Sequence, residues 1–391
     1  MPVVAATKAL FNPLKLGDIV IPNRIQMAAL TRNRSNKTVP SDLMAEHYAE
    51  RARGGTGLIV TEGVLITRQG TEWEAAPGIW NAEQVAGWKK VTEAIHANGS
   101  FVYAQLWHLG RISHPDAPQQ KLAGVPVYAP SAISARGGKF RFLPGQPGYV
   151  TPTAVEDPTF IIEQFKQAAI NAKEAGFDGV ELHGANGYLI SQFLDSGSNQ
   201  RTDKWGGSVE NRARFPLEVL KALVSVFGNN VAVKLSPVGG YNDMGMPLEE
   251  TLKTFRYLLT EISKLPLSYI TLVRYSPYLD AEYDGKKRAT VHDPLESYRS
   301  YITNPVTKVF LNSGVQAEEG AKLIEEGKID GASFGMSSVL FPDLGKRFKY
   351  GKPLDNVPNW PLMQIGVGED PEKWDVGYSD YPAATYAADE I

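Results

Sequence analysis

No cysteine occurs among the 391 residues. That absence excludes disulfides, thiolate nucleophiles and cysteine-ligated zinc or iron–sulfur centres, and it fits a reducing compartment. No apolar run approaches the roughly 18 residues of a membrane span, and residues 1–11 lack the long apolar core of a signal peptide. Basic residues form no run and the net charge is −3. The chain therefore has no electrostatic footprint for nucleic acid or an anionic membrane. Neither an internal repeat nor a low-complexity tract stands out, and no metal site is expected. What remains is a cytoplasmic enzyme acting on a small molecule, as a monomer or homodimer.

What is present is a balance of 43% hydrophobic and 21% charged residues, enough for two ordinary domains or one large α/β barrel. Short apolar strands alternate with amphipathic helical stretches, the pattern of parallel βαβ units. Strands are expected over 25–28, 58–61, 101–105, 179–182, 231–235, 269–272, 309–311 and 332–334. That count is the one a closed (β/α)8 TIM barrel requires. Helical spacing of apolar residues marks 157–175, 209–227, 248–264 and 317–326. Ahead of the first strand, 14–16 and 19–21 around Gly17-Asp18 read as a hairpin plugging the barrel's bottom. The Pro/Gly-rich stretch 122–153 is too long for a plain connection and reads as a lid-like excursion after strand three. The expectation is a single barrel domain over 1–391, with the barrel at 10–350 and a C-terminal extension at 351–391.

The most informative segment runs Val180-Glu181-Leu182-His183-Gly184-Ala185-Asn186-Gly187-Tyr188. A strand ending at His183, followed by a turn through Gly184 and Gly187, aims an imidazole, an amide and a phenol into one pocket. Such a trio can hold a carbonyl oxygen and deliver a proton. A purely structural strand-to-helix turn uses Gly and Asn as well. In barrels of this kind, however, chemistry sits at the carboxyl ends of the strands, with a phosphate site after strands seven and eight. Thr31, Gln105, His183, Asn186 and Lys234 all fall at such ends.

The segment, the downstream Gln192-Phe193-Leu194-Asp195 and the stretch from Asn199-Gln200-Arg201-Thr202-Asp203 through Trp205-Gly206-Gly207-Ser208 resemble the Old Yellow Enzyme family. So do Leu30-Thr31-Arg32, Thr61-Glu62-Gly63, Pro77-Gly78-Ile79-Trp80 and Gln105-Leu106-Trp107-His108, in the same order. The likeness extends from about Leu10 to about Tyr350. Members are FMN-dependent ene-reductases that use NAD(P)H. The resemblance implies that Thr31 bonds the flavin near its hydride-accepting nitrogen and that Gln105 binds the pyrimidine edge. It implies that His183 and Asn186 grip the carbonyl oxygen of an enone-type substrate while Tyr188 protonates the α-carbon and reduced flavin delivers hydride to the β-carbon. A phenol of pKa about 10 suits that task once enolate basicity develops. Trp107 either shapes substrate access or packs the barrel mouth.

Departures from the family's pattern gather on the cofactor side. The strand-five arginine is Lys234, which keeps the charge and loses the bidentate fork. After strand eight the phosphate-binding arginine is replaced in Phe334-Gly335-Met336, and a Gly-Gly pair becomes Ser313-Gly314. Asn-Pro-Asp becomes Phe341-Pro342-Asp343, and a Phe-Tyr pair aligns with Leu362-Met363. Arg274 either compensates for the lost charge or lies solvated on the surface; Ser337 and Ser338 offer hydroxyls. The expected cofactor-binding set is thus Thr31, Gln105, Lys234, Ser313, Gly314, Gly335 and Met336, with FMN weakened or lost. The leading activity is reduction of an α,β-unsaturated carbonyl compound. The alternative is a redox-neutral double-bond isomerase that runs on the same trio without flavin.

Overall fold

A computed structural model of the chain describes residues 3–71, 73, 75–137, 148–363, 373–388 and 390. Strands β1 (Leu14–Leu16) and β2 (Ile19–Ile21) form the expected antiparallel hairpin, with Leu16 opposite Ile19. Gly17 takes φ +55 at the turn, and a Cβ there would meet the backbone of Asn229; only glycine suits a turn so placed. Leu14, Leu16 and Ile21 are buried with Leu58, Val60, Tyr103, Ala232, Tyr269 and Phe310. The hairpin therefore closes the amino-terminal mouth by hydrophobic burial, each such side chain contributing about 1.5–3 kcal/mol.

The barrel is built from β3 (Ile25–Met27), β4 (Leu58–Leu65) and β5 (Phe101–Trp107). After a small parallel pair, β6 (Tyr128–Ala129) and β7 (Thr153–Ala154), it continues with β8 (Gly179–Gly184), β9 (Val231–Leu235), β10 (Tyr269–Val273), β11 (Lys308–Asn312) and β12 (Gly331–Phe334). The eight barrel strands close in chain order, β12 pairing with β3 through Phe334 opposite Met27. All the predicted strands are present, several running longer toward their carboxyl ends. A bulge between Val60 and Gly63 lets β4 continue past Thr61. Gly63 is required there, because a Cβ would lie 2.4 Å from the Trp107 ring.

Helices Thr159–Glu174, Val209–Phe227, Leu248–Ile262 and Ala317–Glu325 match the apolar spacing. Two further helices, Asp42–Arg53 and Ala82–His96, follow β3 and β4; each is capped by a side chain, Ser41 and Asn81. The core lies between these helices and the outer face of the barrel, with Trp88, Phe165, Leu220 and Leu258 fully buried. The excursion after β5 carries the helix Pro118–Ala123, and Arg136 ties it to the loop after β9 by an ion pair with Asp243 at 2.9 Å. Residues 138–147 of that excursion lie outside the described residues. Among the described residues no helix is long and apolar enough to cross a membrane, and none group as a metal site.

Candidate active site

A cavity of about 510 Å³ opens at the carboxyl ends of the strands, a size that suits a cofactor or drug-sized ligand. It brings together Thr31, Gln105, Trp107, His183, Asn186, Tyr188 and Met336. Ser313 and Gly314 line a separate, more open depression of about 390 Å³ beside Arg274 and Glu319. Lys234 and Gly335 line neither wall.

The polar trio is held from behind. Ala185 N–H reaches His183 Nδ1 in a long contact of 3.4 Å, which assigns the ring proton to Nε2. Burial keeps the imidazole well below its ordinary pKa, and the Lys234 ammonium pushes the same way. His183 is thus a neutral donor. Asn186 adopts φ +61, a left-handed conformation that asparagine tolerates better than most residues. Its N–H donates to Ser236 Oγ at 2.8 Å, and its carbonyl accepts from Asn242 Nδ2 at 2.8 Å. With both backbone groups so engaged, the side chain is the part left to face the cavity. Tyr188 precedes the helix Leu189–Leu194, its ring 5.0 Å from those of His183 and Trp107 in edge contacts. Trp107 lies 6.1 Å from His183, so it both packs the mouth and borders His183 and Tyr188.

Below the trio, Gln105 Nε2 donates to Glu181 Oε1 at 2.8 Å. That bond fixes the amide so that its oxygen is the end available to the cavity. His183 is in register with Lys234, placing both inside the barrel above Glu181. Burial raises the Glu181 carboxyl while Lys234 opposes the shift, and burial lowers Lys234 while Glu181 opposes it. Glu181 was missed from the sequence. Its signal was there: a carboxylate two residues before His183 on a buried strand shares that residue's face and needs a partner.

Glu62 is a second missed residue. Its Oε2 accepts from the N–H groups of Arg32 and Asn33 at 3.3 and 3.4 Å, anchoring the turn that follows Thr31. Burial pushes its carboxyl up to about 7. The side chains of Arg32 and Arg34 reach the other way and bind the C-terminal segment, at Met363 O (2.9 Å) and Leu362 O (2.7 Å). Both guanidiniums lie over Tyr378, which also stacks on His47 at 3.8 Å. Through this clamp the extension delivers Trp360, Pro361 and Met363 to the cavity.

The arrangement fits the ring of a flavin: an amide oxygen at Gln105 and a hydroxyl at Thr31 on the cavity wall, with Lys234 buried beside Glu181 beneath it. At the phosphate end there is room, since a Cβ on Gly314 would meet nothing within 4 Å. Met336 and Leu30 pack against the cluster that holds Phe334, Phe341 and Met363, and Ser338 Oγ donates to Phe334 O at 2.9 Å. Arg274 is partly exposed and forks onto Glu319.

Residues 9–355 match the profile of a family described as the NADH:flavin oxidoreductase / NADH oxidase family. The chain is 34% identical to the protein named 12-oxophytodienoate reductase 7 of Oryza sativa subsp. japonica, over 95% of this chain and 94% of that one. It is 35% identical to a probable flavin mononucleotide-dependent alkene reductase of Leishmania infantum, over 97% and 99%. A solved structure of morphinone reductase in complex with tetrahydroNAD superposes with a TM-score of 0.81 at 35% identity, covering 96% of this chain and 98% of that one.

Proposed function

Because the chain belongs to the Old Yellow Enzyme family of NADH:flavin oxidoreductases, we propose that it reduces the carbon–carbon double bond of an α,β-unsaturated carbonyl compound. The observation that carries this reading is the meeting of His183, Asn186 and Tyr188 in one cavity with Thr31 and Gln105. Bound FMN would supply the hydride taken from NAD(P)H. Thr31, Gln105 and Lys234 would hold its ring.

The chain's own residues do the rest. The His183 Nε2–H and the Asn186 amide donate to the substrate's carbonyl oxygen and polarise the conjugated system. As the β-carbon accepts hydride, negative charge collects on that oxygen; each preorganised donor then contributes about 3 kcal/mol of transition-state stabilisation. A neutral imidazole suits this work, because it stabilises the charge without surrendering its proton. Tyr188, held at the edge of both His183 and Trp107, donates the phenolic proton to the α-carbon. The aromatic wall of Trp73, Trp107 and Trp360 keeps water from competing for that position.

The test is to titrate purified protein with FMN, reduce it anaerobically with NADPH or NADH, and add cyclohex-2-enone. Bleaching of the flavin band followed by its recovery with formation of cyclohexanone is the expected result. Failure to bind flavin, with migration of the double bond in a β,γ-enone, would replace reduction by the redox-neutral isomerisation.

A further inference from the structure

We propose that the depression beside this cavity at Ser313 and Gly314, where a ligand's phosphate would lie, is electrically neutral, so that the chain binds the flavin ring while scarcely distinguishing FMN from riboflavin. The proposal rests on the flavin-dependent reading above and concerns the residues that replace the usual cation.

In (β/α)8 barrels a ligand's phosphate lies at the loops after the seventh and eighth strands. Here those loops begin Ser313-Gly314 and Gly335-Met336. Met336 is apolar and packs against the cluster that holds Phe334, Phe341 and Met363. The cation lying beside Ser313 and Gly314 is Arg274, at the end of β10. Its Nε donates to Ser313 O at 3.1 Å, and its two Nη atoms reach Glu319 Oε1 and Oε2 at 2.5 and 3.0 Å. That bidentate pair sums to zero charge. Its geometry is the one a guanidinium would otherwise offer to a phosphate.

The neighbouring cations are spent in the same way. Arg51 donates to the carbonyls of Ser338 and Val339 and pairs with Glu50. Arg347 pairs with Asp343 and Asp355. Glu319 is also tied into its helix, accepting from Gln316 N–H at 3.3 Å, so Arg274 is held by a carboxylate that is itself fixed. Space is not what is missing: Gly314 is open, and the depression beside it is about 390 Å³.

A phosphate entering beside Ser313 and Gly314 meets Arg274 as the arginine of that depression, and Glu319 already holds it. One charge-assisted bond is worth about 1.5–3 kcal/mol, which converts to about 10- to 150-fold in affinity. Losing it removes most of the preference for the phosphorylated ligand. The depression is open to solvent, so the phosphate stays hydrated and does not oppose binding either.

The experiment measures dissociation constants of FMN and riboflavin, by quenching of flavin fluorescence, for the full-length protein freed of flavin, for Met336→Arg and for Glu319→Gln. The wild type is expected to bind both ligands with constants less than about tenfold apart. Met336→Arg restores a fork, and Glu319→Gln releases Arg274 while keeping a helix-capping amide. Each variant is expected to tighten FMN about tenfold or more and to leave riboflavin unchanged. A wild-type preference for FMN of tenfold or more overturns the proposal, as does a folded Met336→Arg that binds riboflavin as before without gaining FMN affinity. If neither flavin binds the folded wild type, the flavin-dependent reading itself falls, and this proposal with it.

Discussion

The two ends of the cavity were built under different constraints. Around the end of β8, three polar residues that face the cavity are positioned by others. Ala185 sets the tautomer of His183, Ser236 and Asn242 fix the backbone of Asn186, and Glu181 orients Gln105. Around the ends of β11 and β12, polar groups satisfy one another instead, Arg274 with Glu319 and Ser338 with Phe334 O, while Met336 packs against an apolar cluster. Donors aimed at an empty space are costly unless a ligand completes them. The first end therefore reads as a site kept for chemistry, and the second as one closed on itself. A chain can retain its substrate chemistry while relaxing its hold on the cofactor's tail where the two ends are held by different residues.

The sharpest way to break this contrast is Tyr188→Phe. Flavin reduction by NAD(P)H is expected to persist while reoxidation by an enone slows about 10²- to 10⁴-fold, read by anaerobic stopped-flow absorbance. Equal slowing of both half-reactions would make Tyr188 structural. His183→Ala comes next: enone turnover is expected to fall about 10²- to 10³-fold, with weaker binding of phenols, whose oxygen mimics the enolate. Unchanged phenol affinity would remove His183 from the oxyanion position.

Glu62→Gln tests the scaffold beneath Thr31. Its folded pKa of about 7 stands above the ordinary 4.5, so its contribution to stability is fully present below pH 4.5 and is lost as pH rises through 7. Denaturant unfolding between pH 5 and 8 is expected to show wild type losing up to about 3 kcal/mol relative to the variant. Parallel pH profiles would mean that Glu62 is ionised throughout. The smallest effect belongs to Trp360, which is 66% exposed at the mouth; Trp360→Ala is expected to move KM for bulky enones by only a few-fold at constant kcat. A large fall in kcat would promote this residue from rim to chemistry.

Much of this was legible in the sequence where local chemistry dictates structure. The hairpin at Gly17-Asp18, the alternation of strands and helices, and the side chains closing each strand follow from turn signals and periodicity. The carboxylates within the barrel and under the first loop were not legible, since Glu181 and Glu62 find their partners across strands. The resemblance pointed to Leu362-Met363 at the cofactor side, but what holds that segment there was hidden for a similar reason. Its place at the cavity depends on Arg32 and Arg34, more than 300 residues earlier. Arg274 could be seen as a charge but not as a neutralised one, because Glu319 lies on a different βα unit.

The central claim is that the trio at the end of β8 works with a flavin on an activated alkene. Its most direct test mixes reduced, flavin-loaded protein with cyclohex-2-enone in the absence of oxygen. The account predicts that the flavin band returns in step with loss of the enone, one equivalent for each flavin. A band that returns only when oxygen is admitted, leaving the enone intact, would contradict it.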